Sequence, residues 1–181
     1  MMRIIVDAFG GDNAPLEILK GASDAVNEFS GHRIILSGNE EQIRTVAAEN
    51  GISLDGMEII TAESVVNMED HPDTVIKAKK DSSMAVGLDM LKNGEADAFV
   101  AAGSTGAVLV GGQLVVGRVK GVERPPLAPL IPTEKGFSLL IDCGASVDAR
   151  ASHLVQFARM GSIYMENIMG VKNPKVGIVN I

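Results

Sequence analysis

Apolar runs of strand length alternate with apolar stripes at helical spacing along this chain. The runs are Arg3–Asp7, Arg33–Leu36, Met57–Ile60, Ala98–Ala101, Leu127–Ile131, Ser138–Ile141 and Val176–Asn180. Several are unbroken Val, Ile and Leu, the pattern of strands buried on both faces of a parallel sheet. Helices are predicted over Pro15–Phe29, Glu40–Asn50, Asp73–Lys92, Thr105–Gly117 and Ser152–Met169. In the last, Leu154, Phe157, Ala158, Gly161, Met165 and Ile168 make one apolar stripe. Gly31, Gly51 and Gly94 stand where helix C-caps are expected. Strands alternating with helices predict βαβ units and a three-layer α/β/α sandwich with a mainly parallel sheet. No linker, charge run or repeat divides the chain, so residues 1–181 are expected to form a single α/β domain. A strand-like run ends the sequence where another loop and helix would follow. The chain is therefore expected to be the N-terminal portion of a longer protein.

Composition narrows the function classes. The 181 residues are enough for one domain with a real core. Aromatics are only 3% of the chain, too few for stacking platforms that hold single-stranded nucleic acid. A net charge of −7 disfavours nucleic acid and anionic lipid as partners through bulk charge. The single cysteine, Cys143, excludes an internal disulfide, and a cytoplasmic location is expected. Asp7 and Asp12 follow Arg3 too closely for a signal peptide. The longest apolar run, Ala107–Gly117, contains Gln113 and falls well short of the roughly 20 residues of a membrane span. No metal-ligand spacing, G-x-G-x-x-G fingerprint or Walker A loop occurs, so no metal site and no cofactor is predicted.

Five segments can carry chemistry. Asp7 ends the first strand and leads into Gly10-Gly11-Asp12-Asn13 before a helix start. Glycines let the backbone approach a ligand, and a helix start offers N–H groups to an anion. A tight turn with a helix cap is the plainer reading. In Lys77-Ala78-Lys79-Lys80-Asp81-Ser82-Ser83, the spacing puts Lys77, Lys80 and Ser83 on one helix face, suited to an anion or simply solvated. Gly103-Ser104-Thr105-Gly106 follows a strand and opens a helix, which fits an anion cradle or an N-cap at Ser104 or Thr105. Arg118, Lys120 and Arg124 make the one strongly basic loop, either plain surface or a dock for an acidic partner. Asp142-Cys143-Gly144-Ala145-Ser146 marks another strand end. No histidine stands near Cys143 in sequence, and it reads as a buried strand-end residue.

In this order and spacing, these segments resemble the bacterial phosphate acyltransferase family of phospholipid synthesis, the PlsX family (acyl-ACP:phosphate transacylase). The resemblance rests on Asp7–Pro15, Lys77–Met84, Ala102–Ala107, Arg124-Pro125, Asp142–Asp148, the stretch from Phe157 to Tyr164, and Pro174–Ile181. It covers essentially the whole chain. The family commonly has Met at the place of Phe9 and Asn at the places of Ser104 and Ser146, and its members run well beyond this C-terminus.

The resemblance implies a sandwich like that of the isocitrate and isopropylmalate dehydrogenases or of phosphotransacetylase. It implies transfer of a long-chain acyl group from acyl carrier protein to inorganic phosphate, giving acyl phosphate. It implies a homodimer, with peripheral membrane association of the full-length protein, and no cofactor. On this reading Lys80, Ser83, Asp12 and Asn13 are the catalytic candidates. Substrate would be held by Gly10, Gly11, Lys77, Gly103, Ser104, Thr105, Gly106, Arg124 and Ser146. Asp7 or Asp142 would fix loop geometry by accepting backbone N–H groups. Competing readings are a phosphate acetyl- or butyryltransferase that uses acyl-CoA, and a folded fragment without activity.

Overall fold

The computed structural model describes residues 1–146 and 148–179. It forms two compact units, Met1–Gly117 and Arg118–Ile181.

In the first unit, β1 (Arg3–Asp7), β2 (Arg33–Gly38), β3 (Met57–Thr61) and β4 (Ala98–Val100) form one sheet in the order β3-β2-β1-β4. Every pairing is parallel, with Ile4 opposite Ile34 and Ala98, and Leu36 opposite Ile59. Successive side chains of a strand point to opposite faces, so an apolar run supplies two cores. Ile4, Val6, Ile34 and Leu36 face α1 (Leu16–Glu28) and α2 (Glu40–Glu49), packing with Leu19, Ala22, Ile43 and Ala47. Ile5 and Ile35 face the other way, with Ala96, Met90 and Phe99. On that side α3 (Ser83–Lys92) and α4 (Thr105–Gly111) pack Met84, Ala85, Leu88 and Ala107 with Val66 and Val75. This is the predicted α/β/α sandwich with a parallel sheet.

Caps close the elements, Ser104 and the three glycines where the sequence predicts them, Asn39 and Ser82 at positions it does not single out. Asn39, Ser82 and Ser104 accept N–H groups at the starts of α2, α3 and α4. Gly31, Gly51 and Gly94 take positive φ just beyond α1, α2 and α3. The Asp97 carboxylate accepts from Arg3 N at 2.8 Å and from its guanidinium, tying the start of β1 to the entry of β4. Those bonds hold its pKa down to about 2.

Two predicted helices are broken. Asp73–Lys92 is a 3₁₀ turn over Pro72–Ile76, an irregular stretch, and then α3. The stretch is diverted by pairing outside itself. Asp81 O accepts Glu63 N at 3.1 Å, Ser83 N donates to Ser64 O at 3.1 Å, and the Lys79 ammonium donates to Val65 O at 2.7 Å. Thr105–Gly117 is α-helical only to Gly111 and closes in a π turn over Gly112–Val116.

In the second unit, the strands predicted at 127–131 and 138–141 are an antiparallel hairpin rather than members of the parallel sheet. It comprises β5 (Leu130–Thr133) and β6 (Gly136–Leu139). The turn Glu134-Lys135 is too short for a parallel crossover and fits a hairpin. α5 (Ala151–Asn167) packs against it, with Leu139 and Ile141 beside Gly161. Its predicted stripe is buried only in the middle. Phe157 is 2% exposed, whereas Leu154 and Ile168 at the ends are 40% and 66% exposed. Residues 176–179 of the predicted last strand pair with no other strand among the described residues, and Asn180 lies outside them.

Close packing of α3 on the sheet gives a direct test. A Cβ on Gly87 would lie 2.5 Å from Phe99 Cε2. Gly87→Val should destabilise the chain by about 1–3 kcal/mol through overpacking, read as a lower urea midpoint at unchanged slope.

Candidate functional site

The strand order puts β1 where the sheet reverses its winding. From β1 the chain winds outward through β2 to β3, then returns to add β4 on the other side of β1. Loops leaving the carboxyl ends of β1 and β4 therefore diverge, and ligands of open α/β sheets sit in the crevice between such loops. Gly10–Asn13 follows β1 and Gly103–Gly106 follows β4, so the topology itself brings the two predicted glycine segments together.

The two loops meet backbone to backbone. A Cβ on Gly10 would lie 3.0 Å from Gly103 N and 2.7 Å from Asp7 Oδ2. A Cβ on Gly103 would lie 3.1 Å from Gly10 Cα. Gly11 adopts φ +112°, a conformation that side chains rarely take. Asp12 and Asn13 are exposed in the turn that follows, and Asn13 O accepts Glu17 N at 3.2 Å at the head of α1. Ser104 is buried and caps α4, its hydroxyl accepting Ala107 N at 3.3 Å. Thr105 is exposed, and Gly106 packs so closely on Pro72 that a Cβ would come within 2.9 Å of its ring.

The start of α3 packs against the second loop: a Cβ on Gly103 would lie 3.4 Å from Met84 Cε. Ser83 is fully buried. Its main chain is held on both sides, N donating to Ser64 O at 3.1 Å and O accepting the Ser37 hydroxyl at 2.9 Å. Its own hydroxyl has no hydrogen-bond partner among the described residues. Beside it is Asp7, 2% exposed, whose Oδ1 accepts Phe9 N at 3.1 Å. Burial pushes the Asp7 carboxyl above the usual range, opposed by the neighbouring Ser83 hydroxyl and the Phe9 and Gly10 N–H groups. Ser37, which holds the Ser83 carbonyl in this candidate site, is not singled out by the sequence. The available signal is a serine and a glycine closing the apolar run Ile34-Ile35-Leu36.

The lysine segment departs from expectation. Lys77, Lys80 and Ser83 share no helix face, because the chain between Ile76 and Ser83 is not helical. Lys77 is exposed and paired with Asp73, and Lys79 binds Asp70 at 2.5 Å. Lys80 is exposed and makes no ion pair or hydrogen bond among the described residues. Of the three ammonium groups, only that of Lys80 is uncommitted.

Arg124 and Ser146 belong to the second unit. There Asp142 Oδ1 accepts Leu127 N at 2.9 Å and Ala145 N at 3.2 Å, while Arg124 reaches Ala145 O at 3.4 Å. The Ser146 hydroxyl and Asp142 Oδ2 are buried without partners among the described residues. Both aspartates thus hold loops by accepting backbone N–H groups, as expected. Arg118 and Lys120 are exposed, and Gln156 clamps their loop to α5 through Glu123 N at 2.9 Å and Gly121 O at 3.2 Å. Among the described residues no three His, Cys, Asp or Glu side chains gather as a metal site. Among them, too, no helix is long and apolar enough to cross a membrane.

Comparison with known proteins places this geometry among relatives. A family model described as "Fatty acid synthesis protein" matches residues 2–181. The chain is 46% identical over 180 residues to a phosphate acyltransferase of Clostridium novyi (strain NT), covering 99% of this chain and 54% of the relative. It is 48% identical over 181 residues to a phosphate acyltransferase of Thermoanaerobacterium thermosaccharolyticum, covering 99% and 53%. The chain thus spans about half the length of the curated relatives it matches. A crystal structure of a phosphotransacetylase from Streptococcus pyogenes is similar in fold, with TM-score 0.64 at 18% identity, covering 87% of this chain and 51% of that one.

The buried carboxyl predicts a pH effect. A raised native pKa means that the folded state holds the proton more tightly, so Asp7's contribution is fully present below the ordinary value of 3.8 and is lost as the pH rises through the native one. Asp7→Asn removes this loss. The difference in unfolding free energy, variant minus wild type, should grow as the pH rises from about 4 to about 7, as measured by urea unfolding.

Proposed function

The chain belongs to the fatty acid synthesis protein family, and from that premise we propose that it transfers a long-chain acyl group from acyl carrier protein to inorganic phosphate. The observation that carries this reading is the joining of two glycine loops and the buried Ser83 at the reversal point of the sheet, in a chain similar to proteins named phosphate acyltransferase. The reading takes residues 1–181 as one α/β portion of a longer enzyme, homodimeric and cytoplasmic, with peripheral membrane association of the whole protein. The relatives' greater length supports that portion of the reading.

In the reaction, a phosphate oxygen attacks the thioester carbonyl. The C–O bond to phosphate forms, the C–S bond breaks, and the sulfur leaves with its electron pair and is protonated. Phosphate is itself the nucleophile, so no covalent enzyme intermediate is needed. The protein's tasks are to hold phosphate against the carbonyl and to stabilise the tetrahedral oxyanion. The Gly103–Gly106 backbone, Lys80 and Ser83 would hold phosphate. Gly10, Gly11, Asp12 and Asn13 would line the reaction centre. Lys77 is a weaker candidate than Lys80, since Asp73 already pairs with it. Arg124 and Ser146 are the second unit's candidates for substrate contact.

Charge supports an acidic carrier as donor. Residues 118–181 hold eight Lys and Arg against five Asp and Glu, whereas residues 1–117 hold eight against eighteen. Arg118, Lys120 and Arg124 are the basic cluster of the cationic unit, and steering by such a cluster acts mainly on encounter. The phosphotransacetylase fold favours a second reading, with acyl-CoA as donor.

The decisive assay is thiol release from palmitoyl-acyl carrier protein and from palmitoyl-CoA, with and without phosphate. Release that needs phosphate and prefers the carrier is expected; a preference for CoA would select the second reading, and release independent of phosphate would defeat both. In that assay Lys80→Ala should raise the phosphate KM by about 10-fold or more, a loss of roughly 1.4 kcal/mol, with a small change in carrier KM. Equal effects on both would remove Lys80 from the phosphate site. A double variant, Arg118→Glu with Arg124→Glu, should raise carrier KM at low salt and little at high salt; an unchanged low-salt value would reject this dock.

A further inference from the structure

Lys79 and Lys80 are adjacent in sequence and opposite in fate. The partly buried Lys79 ammonium is held by two acceptors of one neighbouring stretch, Val65 O at 2.7 Å and Asp70 Oδ2 at 2.5 Å. The same Asp70 oxygen accepts Asn67 N at 2.7 Å. The Lys79 main chain is tied as well: N donates to Thr74 O at 2.9 Å, and O accepts Ser82 N at 3.1 Å and the Ser82 hydroxyl at 2.7 Å. On the other side of Lys80, Asp81 O accepts Glu63 N at 3.1 Å and the Asp81 carboxylate accepts the Ser64 hydroxyl at 2.7 Å. Both neighbours of Lys80 are thus fixed, while its own side chain is exposed and uncommitted among the described residues. The segment that carries it touches the second glycine loop at both ends, Pro72 against Gly106 and Met84 against Gly103.

We propose that Lys79 and Asp70 are a positioning pair, whose ion pair fixes the turn from which Lys80 reaches phosphate. This rests on the reading that Lys80 holds phosphate beside the glycine loops. Between Ile76 and Ser83 the chain has no helical ladder of hydrogen bonds to stiffen it. Ties to residues 63–70 stand in for that ladder, and the strongest of them is charged, the Lys79–Asp70 pair. A lysine on a loose turn must order its backbone as well as its side chain when it closes on an anion. With the turn fixed beforehand, only the side chain of Lys80 is left to order, which favours binding by preorganisation.

A rival role for Lys79 is that of a second cation for the anion. The two roles differ in the sign they assign to Asp70. If Lys79 acts through its charge, Asp70 is a competitor: removing its carboxylate deletes a negative charge and frees the ammonium, so phosphate binds more tightly. If Lys79 acts through the turn, Asp70 is its anchor, and removing it loosens Lys80 and weakens phosphate. The contacts favour the anchor. The Lys79 ammonium is already shared between a carboxylate and a main-chain carbonyl, and a lysine ammonium has three donors in all.

The test is calorimetric titration of the 181-residue chain with inorganic phosphate, folding of each variant being checked by circular dichroism. Lys79→Met and Asp70→Ala should each weaken phosphate several-fold, and Lys79→Arg, which keeps the pair, should bind as the wild type does. In a Lys80→Ala background neither substitution should weaken phosphate further, because residues that act through one group are coupled rather than additive. A general loss of stability would lower affinity equally in both backgrounds. Should Asp70→Ala fail to fold, Asp70→Asn carries the same sign test, since it removes the charge and keeps an oxygen for Asn67 N. Tighter phosphate binding in the Asp70 variant, unchanged affinity in Lys79→Met, or equal weakening with Lys80 absent would overturn the positioning role while leaving the phosphate site standing. Unchanged affinity in Lys80→Ala alone, or a folded wild type that binds no phosphate, would overturn the reading of Lys80 and this inference with it.

Discussion

The close approach of the loops after β1 and β4 governs this structure. Adjacent parallel strands lie about 4.8 Å apart, and both loops leave from the same end of the sheet. With Gly103 N already 3.0 Å from where a Gly10 Cβ would stand, neither loop can carry a side chain at the contact. The consequence runs downward as well as outward. Sealing the loops over Asp7 removes its carboxyl from water, and the N–H groups of the same loop become its hydrogen-bond donors. The start of α3 must then meet an interior that is already polar. It does so with serines: Ser82 caps the helix, Ser83 faces Asp7, and Ser37 on β2 ties the Ser83 carbonyl.

Much of this is legible in the sequence, for a reason that also marks the limit. β1–β4, α1, α2 and α5 match their patterns because their periodicity reports a local choice of which face is buried. The break at Ile76–Ser83 is not local. Its backbone is claimed by Glu63 and Ser64, and its Lys79 ammonium by Val65 O, which nothing in the 73–92 pattern announces. The hairpin β5–β6 fails the same way. A short apolar run is equally suited to a parallel or an antiparallel neighbour, and only the two-residue turn between Thr133 and Gly136 decides.

The site divides along the same line. Gly10, Gly11, Gly103 and Gly106 are visible as candidates because glycine at a strand end permits a close backbone approach, which Gly10 and Gly103 make to each other. Ser37 is not, because a serine closing an apolar strand is also what any strand end looks like. By spacing alone Lys77 equals Lys80; the difference is Asp73, four residues earlier across the 3₁₀ turn, which holds Lys77. Spacing identifies groups that can share a face; it does not say which charges are already spent on neighbours.

The anion site proposed for the first unit would work against eighteen acidic and only eight basic side chains. Net charge is a poor guide at this range, since exposed charges beyond about 8 Å are largely screened at physiological salt. What a bound anion meets is the nearest, driest charge, because a low-dielectric interior screens least. Beneath the glycine loops the buried ionisable group is Asp7, sealed under Gly10. Burial pushes that carboxyl toward its neutral form, and none of the influences on it is a paired cation.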